Sequence, residues 1–494
     1  MTANATHDRS ILQGIAHRAM VDRGLLPDFS PQVQSELARL VALPAVALAG
    51  AGPIQDLRSL AWASIDNDHS RDLDQLTVAE ALTADAVRIR VAVADVDSRV
   101  PRGSAIDDHA RQNTTSVYTA AQIFPMLPER LSTDLTSLNF QEDRLAIVIA
   151  MEIAADGTVR AAELYRAQVR NQAKLAYNSL AAWLEGGEAL PTAVAAVPGL
   201  EANLRLQNQA AQRMKKLRHA HGALSLETAK ASPVFEGDQI RALETETRNG
   251  AKDLIEDFMI AANGVTARYQ SAQNFPSIRR VVRTPKRWER IVQIAGAQGF
   301  PLPETPDPKA LEAFLTQAKT ADPAHFSDLS LTIVKLLGAG EYVAEAAGAD
   351  SPGHFGLAAK DYAHATAPNR RYADLVTQRL VKAALQAQPC PYTLADLEAL
   401  AQHCTAAENA ANKVERQVEK SAAALLMQSR IGERFEALVT GASAKGTWVR
   451  ILPFPVEGKL TQGFESLDVG DHLQVQLLAV NIERGLIDFK RIGS

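Results

Sequence analysis

Apolar residues recur at helical spacing through "RSILQGIAHRAMVDRGLL" (9–26) and again in "PDFSPQVQSELARLV" (27–41), where Ser30 reads as an N-cap and Pro31 as the first helical residue. Two short helices around a Gly-Leu-Leu-Pro turn are therefore expected within 7–42, as either a helix-turn-helix or a helical lid on the domain that follows. From residue 61 to about 166 the period shortens to that of strands. "AWASI" (61–65), "VRIRVAVADV" (87–96) and "RLAIVIAMEIAADGTVRAAELYRAQV" (144–169) are rich in β-branched residues, with Asp156-Gly157 as a hairpin signal. Helical spacing returns in "DLIEDFMIAANGVTARYQ" (253–270) and "RRYADLVTQRLVKAALQA" (370–387), and 393–430 reads as one very long helix or a bent pair. After Met427 the chain turns to evenly spaced short strands with glycine turns, the pattern of a small β-barrel. The expected class is α+β, divided into a helical segment (1–55), a large domain of mixed sheets and helices (56–426) and a small β-barrel (427–494).

Composition narrows this little. The chain has 494 residues, 46% hydrophobic and 22% charged, ordinary values for a globular protein with room for a large core. No apolar run reaches the roughly 18 residues that span a bilayer; "VALPAVALAGAG" (41–52) comes nearest. The expectation is a cytoplasmic protein with no membrane partner. Cys390 and Cys404 supply neither a disulfide framework nor a zinc spacing. A formal charge of −5 argues against a basic coat but leaves room for a local basic channel.

The stretch "SIDNDHSRDLDQL" (64–76) changes the picture. It places Asp66, Asp68, Asp72 and Asp74 within a few residues. Carboxylates packed together repel unless a cation lies between them. Hard oxygen donors select Mg²⁺, with Mn²⁺ as a substitute, over zinc. An acidic surface turn would explain the same residues, and Asp68 is the one most readily left to solvent. The strand "AWASI" would hold Asp66 rigidly at its end.

The spacing of this stretch resembles the signature of the RNB family of exoribonucleases, the ribonuclease II and ribonuclease R type: Ile-Asp, five residues, then Asp-x-Asp-Asp. Four further blocks resemble the family in order: "TTSVYTAAQIFPMLPERLSTDLTSL" (114–138), "AKLAYNSLAAWLEG" (173–186), "LIEDFMIAAN" (254–263) and "GHFGLAAKDYAHATAPNRRYADLVTQRL" (353–380). The resemblance implies a bacterial 3′-to-5′ exoribonuclease that degrades single-stranded RNA processively to 5′-nucleoside monophosphates with Mg²⁺. It places metal ligands at Asp66, Asp72 and Asp74, the last indispensable. Gln75 stands where the family has a fourth aspartate, so one metal would be held more weakly. Arg370 falls on the arginine that stabilises charge on the scissile phosphate, a role suited to a planar, always-charged fork. Arg371 beside it would bind a phosphate or a structural acid. Tyr177 falls on the tyrosine that stacks on the 3′-terminal nucleotide. Glu256, with Asp257 as the adjacent alternative, would accept the ribose 2′-OH. Tyr118 is a weaker candidate for base contact, and Arg280 matches an Arg-Val dipeptide of the family. Leu226 stands where a base-stacking phenylalanine belongs.

Two basic stretches, "RMKKLRHAH" (213–221) and "IRRVVRTPKRWER" (278–290), would suit a nucleic-acid channel or equally a solvated face. Family members usually carry two cold-shock barrels ahead of the acidic loop; here about 60 residues precede it, and they read as helical. A more open entrance would admit structured RNA. Residues 427–494 resemble the OB-type RNA-binding barrel that closes most family members; they hold eight basic and eight acidic residues, so the barrel's grip on RNA would rest on aromatics such as Phe435, Trp448, Phe454 and Phe464, each by default a core residue. A monomer is expected. A catalytically weak RNA-binding protein that kept the fold is the competing reading, resting on Gln75 and the missing phenylalanine.

Overall fold

The computed structural model describes residues 8–42, 52–83, 85–227, 230–246, 248–323, 325–349, 352–452 and 456–493. The chain opens with helices α1 (Asp8–Val21) and α2 (Pro31–Val41); Ser30 caps α2 by accepting from the Val33 N–H at 3.3 Å, and Pro31 sits at its start. Strands β1 (Gln55–Asp56), β2 (Ala63–Asp66), β3 (Gln75–Ala81) and β4 (Val87–Ala94) follow, then α3 (Ala105–Asn113) and the short pair β5 (Val117–Tyr118) and β6 (Ile123–Phe124). Strands β7 (Asp143–Ile153), β8 (Val159–Arg170) and β9 (Ala173–Ala176) complete a seven-stranded sheet of order β1-β8-β7-β4-β3-β2-β9. Its pairs are antiparallel except β2 with β9 and β1 with β8. The β7–β8 turn uses the anticipated Asp156-Gly157. Gly157 has φ of +91°, and a Cβ there would lie 2.4 Å from the Arg213 carbonyl, so only glycine fits.

Helices α4 (Tyr177–Leu184), α5 (Thr192–Ala195) and α6 (Leu200–Ala220) lead to the hairpin β10 (Lys230–Glu236) and β11 (Gln239–Glu246) and to α7 (Gly250–Ala272). Next come β12 (Ser277–Val281), α8 (Trp288–Ala297), α9 (Pro308–Ala321), α10 (Phe326–Leu337), β13 (Glu341–Glu345) and α11 (Tyr372–Leu385). The sheet is buried on both faces at its centre, which is why β4 runs unbroken apolar from Val91 to Ala94 after the alternating Arg88 and Arg90. Ala92 and Ala94 face a core shared with α2, α3 and α11, while Val91 and Val93 face one shared with α4, α6 and α7.

The stretch 393–430 is one helix, α12 (Leu394–Met427), rather than a bent pair. A capping box starts it, Thr393 and Asp396 each accepting from the other's N–H, and no glycine or proline interrupts it. Its buried stripe Leu397, Ala401, Cys404, Ala407, Ala411, Val414 and Val418 runs through two cores, and Ala423, Ala424 and Met427 enter a third. That third core belongs to a closed barrel of β14 (Arg434–Ser443), β15 (Gly446–Leu452), β16 (Glu457–Gln462), β17 (His472–Asn481) and β18 (Leu486–Arg491), in the order β14-β15-β16-β18-β17. α12 is therefore a spine of about 50 Å tying the sheet domain to the barrel. Helix α1 buries Leu12, Ile15 and Met20 against α12, whereas Val33 and Leu40 of α2 join the core of α3. The two helices thus pack into different cores. Among the described residues no helix is long and apolar enough to cross a membrane.

Candidate active site

The acidic loop runs from the end of β2 to the start of β3. Asp66 ends β2, and its Oδ1 accepts from the Asn67 N–H (2.7 Å) and the Ser70 hydroxyl (3.0 Å), which closes the turn. Further along, Ser137 pins the loop from below: its hydroxyl donates to the Arg71 carbonyl (2.8 Å) and accepts from the Leu73 N–H (2.9 Å). Leu73 is thereby buried between Asp72 and Asp74. Asp68 is exposed, as expected of the solvated member of the cluster.

A second loop, 365–371, meets the first. Asp74, only 2% exposed, accepts from the Asn369 N–H (2.9 Å) and from Arg370 Nε (3.2 Å). Residues 295 and 296 positions downstream of Asp74 are thus brought onto the acidic cluster. The Asn263 side chain accepts from the Ala365 N–H (2.9 Å), and Asp374 from the Ala367 N–H (2.8 Å). Asn369 accepts a 2.5 Å bond from the Thr136 hydroxyl. Arg370 and Arg371 precede α11, where positive charge opposes the helix dipole. Each has a carboxylate to compensate: Asp74 for Arg370, and for Arg371 a bidentate grip on the fully buried Asp374 (2.9 and 2.8 Å). Arg371 thus meets the structural acid that was one of its two expected partners. Asp374 and Asn263 were missed in the sequence; the Arg371-x-x-Asp374 spacing at a helix start was the available signal for the first.

Burial pushes the Asp74 carboxyl up to about 7, against the pull of Arg370 and the Asn369 N–H. Burial also raises Asp66, and the charge of Asp72 adds to both shifts. The Tyr118 hydroxyl donates to Asp72 Oδ2 at 3.0 Å; burial and then the Asp72 charge raise its pKa. Burial works against the Arg370 charge, but Asp74, Tyr118 and Asp72 together hold the guanidinium above its ordinary value.

Asp66 and Asp74, each raised in part by the charge of Asp72, form with it a set of hard oxygen donors that a divalent ion such as Mg²⁺ would relieve. They fit such an ion chemically, although among the described residues no three His, Cys, Asp or Glu side chains already converge at ligand spacing. Gln75, expected beside them as a weaker ligand, donates from Nε2 to the Thr366 carbonyl at 2.7 Å.

The residues expected to hold the terminal nucleotide lie on the α4–α7 side. Glu256 and Leu226 line one cavity of about 370 Å³ with Lys215, Arg218, Arg248 and Lys319. Glu256 is paired with Arg248 at 2.7 Å. Asp257, the alternative, is buried against Arg218 and raised to about 6 by that burial, so it faces inward. Tyr177 starts α4, with Lys252 Nζ 5.9 Å from its ring centre.

The two basic stretches do not form an open track. Lys215 pairs with Asp253, Arg218 with Asp257 and His219 with Glu312. Arg280, expected to touch RNA, stacks on Tyr342 and pairs with Glu408 at 2.5 Å. Arg279 pairs with Glu345 and Arg283 with Glu341, while Arg287 and Arg290 reach the barrel at Asp468 and Asp471. This stretch staples the barrel to α8. Within the barrel Phe435 is core, Phe464 is 43% exposed, Trp448 is half-buried, and Phe454 lies outside the described residues.

The sequence profile of the RNB domain matches residues 54–387, and that of the RNase II-type exonuclease C-terminal S1 domain matches 433–492. The chain belongs to the RNB family. Ribonuclease R of Escherichia coli is 30% identical over 477 residues, covering 89% of this chain and 57% of that protein; Ribonuclease R of Vibrio cholerae is 29% identical over 474 residues, covering 88% and 57%. The chain thus spans a little over half the length of the curated relatives it matches. Among solved structures, Mycoplasma genitalium RNase R in complex with ribose-methylated single-stranded RNA superposes with a TM-score of 0.85 at 22% identity, covering 98% of this chain and 78% of that one. Yeast Ssd1, described as a pseudonuclease, superposes with a TM-score of 0.68 at 16% identity, covering 91% and 55%. These structures share the fold of the chain.

Proposed function

We propose that the chain is a 3′-to-5′ exoribonuclease that hydrolyses single-stranded RNA processively to 5′-nucleoside monophosphates. The observation that carries this reading is the Asp74–Arg370 pair, which sets a phosphate-binding cation against the acidic cluster. Asp66, Asp72 and Asp74 would hold Mg²⁺, or Mn²⁺ in its place. A bound ion supplies a water of lowered pKa and a Lewis acid for the phosphoryl oxygen.

The chain's own residues do the rest. Asp74 orients Arg370 through Nε, and the guanidinium, 42% exposed, keeps donors for the equatorial phosphate oxygens as charge builds there. Tyr118 fixes one oxygen of Asp72. Glu256 accepts the terminal 2′-OH, the handle that separates RNA from DNA, and Tyr177 stacks on the terminal base. With no ring at Leu226, the base is clamped from one side. We further propose a monomeric cytoplasmic enzyme organised as 1–55, 56–426 and 427–494, able to enter structured RNA.

The second reading, a catalytically weak RNA binder, draws on the unconverged carboxylates and on a pseudonuclease sharing the fold. Labelled oligo(A) incubated with Mg²⁺ separates the two. Release of mononucleotides supports the enzyme; a gel shift without cleavage supports the binder.

A further inference from the structure

A carbonyl oxygen only accepts hydrogen bonds. The 2.7 Å contact between Gln75 and the Thr366 carbonyl therefore settles which end of the amide faces the loop: Nε2 donates. Gln75 is the half-buried first residue of β3, directly after Asp74. Thr366 lies four residues before Arg370. The loop between them is held by backbone groups, each taken by a side chain from a different element: the Ala365 N–H by Asn263 of α7, the Ala367 N–H by Asp374 of α11, the Asn369 N–H by Asp74. Gln75 adds the Thr366 carbonyl. Neighbouring residues 74 and 75 thus grip the loop at two points, one by accepting and one by donating.

A carboxylate at position 75 has no proton to give and would set its negative oxygen against a carbonyl oxygen. We infer that Gln75 is a positioning residue, whose amide fixes the Thr366–Asn369 loop and through it the guanidinium of Arg370, and that it is not a metal ligand. The inference rests on the exoribonuclease reading. It recasts the departure from the family's fourth aspartate as the exchange of a charge for a strut, with metal binding left to Asp66, Asp72 and Asp74.

The test uses the full chain as wild type, Gln75→Glu and Gln75→Met. Both variants keep the side-chain length and lack the donor at neutral pH; the first also restores a charge. Three quantities are read: kcat and KM on oligo(A) with Mg²⁺, Mn²⁺ affinity by calorimetry without RNA, and the melting temperature. A displaced arginine costs on the order of 10- to 100-fold, so kcat falls by that factor in both variants. KM stays near wild type, Mn²⁺ affinity stays near wild type in Gln75→Met, and the melting temperature falls by no more than the loss of one hydrogen bond accounts for. Retained kcat in either variant overturns the inference. So does weaker Mn²⁺ binding by Gln75→Met, which would make Gln75 itself a ligand. Failure of both variants to fold also overturns it, because the residue would then hold the domain and not the loop. A wild-type chain that releases no mononucleotides sinks the exoribonuclease reading instead, and the calorimetry still decides whether position 75 contacts metal.

Discussion

Replacing Asp74 with asparagine separates two roles that pull in opposite directions. In the metal-free protein the carboxyl is raised from its ordinary 3.8 to about 7, chiefly by burial. A carboxyl with a raised folded pKa costs the fold nothing below 3.8; stability is then lost as pH climbs from 3.8 to about 7, and the full cost stands above that. The ceiling is about 4 kcal/mol. Asparagine matches the protonated form and escapes this cost. It gives some back, because its amide N–H faces Arg370 Nε, a clash of donors worth about 1–2 kcal/mol. The orphaned guanidinium is 42% exposed and so reaches water, which keeps its own penalty small. The net gain at pH 8.5 is then about 1–3 kcal/mol, or about 1–4 °C for a domain of this size. The assay is thermal melting in chelator at pH 5 and pH 8.5, with cleavage of labelled oligo(A) in Mg²⁺ alongside. The variant should melt at or slightly below wild type at pH 5, above it at pH 8.5, and show no turnover. A difference in melting temperature that does not change between the two pH values would refute the assigned burial cost, and substantial residual turnover would refute the role of Asp74 in the reaction.

Glu256→Ala should narrow the gap between RNA and DNA cleavage; equal slowing on RNA with DNA still inert would leave Glu256 a structural role. Burial lowers His109 to about 4, with Asn113 and the Phe29 ring against it, so its neutral form stabilises the fold above 6.5 and that stability is lost as pH falls from 6.5 to about 4. His109→Gln should therefore flatten the fall in melting temperature across that window, only in part because His354 is lowered in the same way; an unchanged slope counts against it. A labelled hairpin with a 3′ tail of about ten nucleotides should be degraded into its stem, at about 1.4 kcal/mol per base-pair step opened, and a sharp stop several nucleotides short would exclude entry into structured RNA.

Local signals carried well into the structure. Ser30-Pro31 starts α2, Asp156-Gly157 turns β7 into β8, and "AWASI" ends in a strand that holds Asp66. Residues 393–430 left one helix or two open because propensity does not register where a long helix finds its packing; α12 stays whole because three successive cores receive its stripe. The β10–β11 hairpin went unread, since Pro233 and scattered charges mask its alternation. The site shows the same division. Asp74 and Arg370 were named from the motifs that carry them. The fate of the basic stretch 278–290 was not legible, because the acid that takes Arg283 lies 58 residues away and the one that takes Arg287 lies 181 away. Gln75 reads in sequence as a weakened ligand; its hydrogen bond to the Thr366 carbonyl, 291 residues on, was not legible there.

The most direct measurement is a crystal structure of the Asp74→Asn variant with a short oligo(A) and Mg²⁺. The account predicts that the 3′-terminal phosphodiester lies between Arg370 and the Asp66–Asp72 pair, with the terminal ribose against Glu256 and the base on Tyr177. An RNA whose 3′ end lies elsewhere, with no phosphate on Arg370, would contradict it.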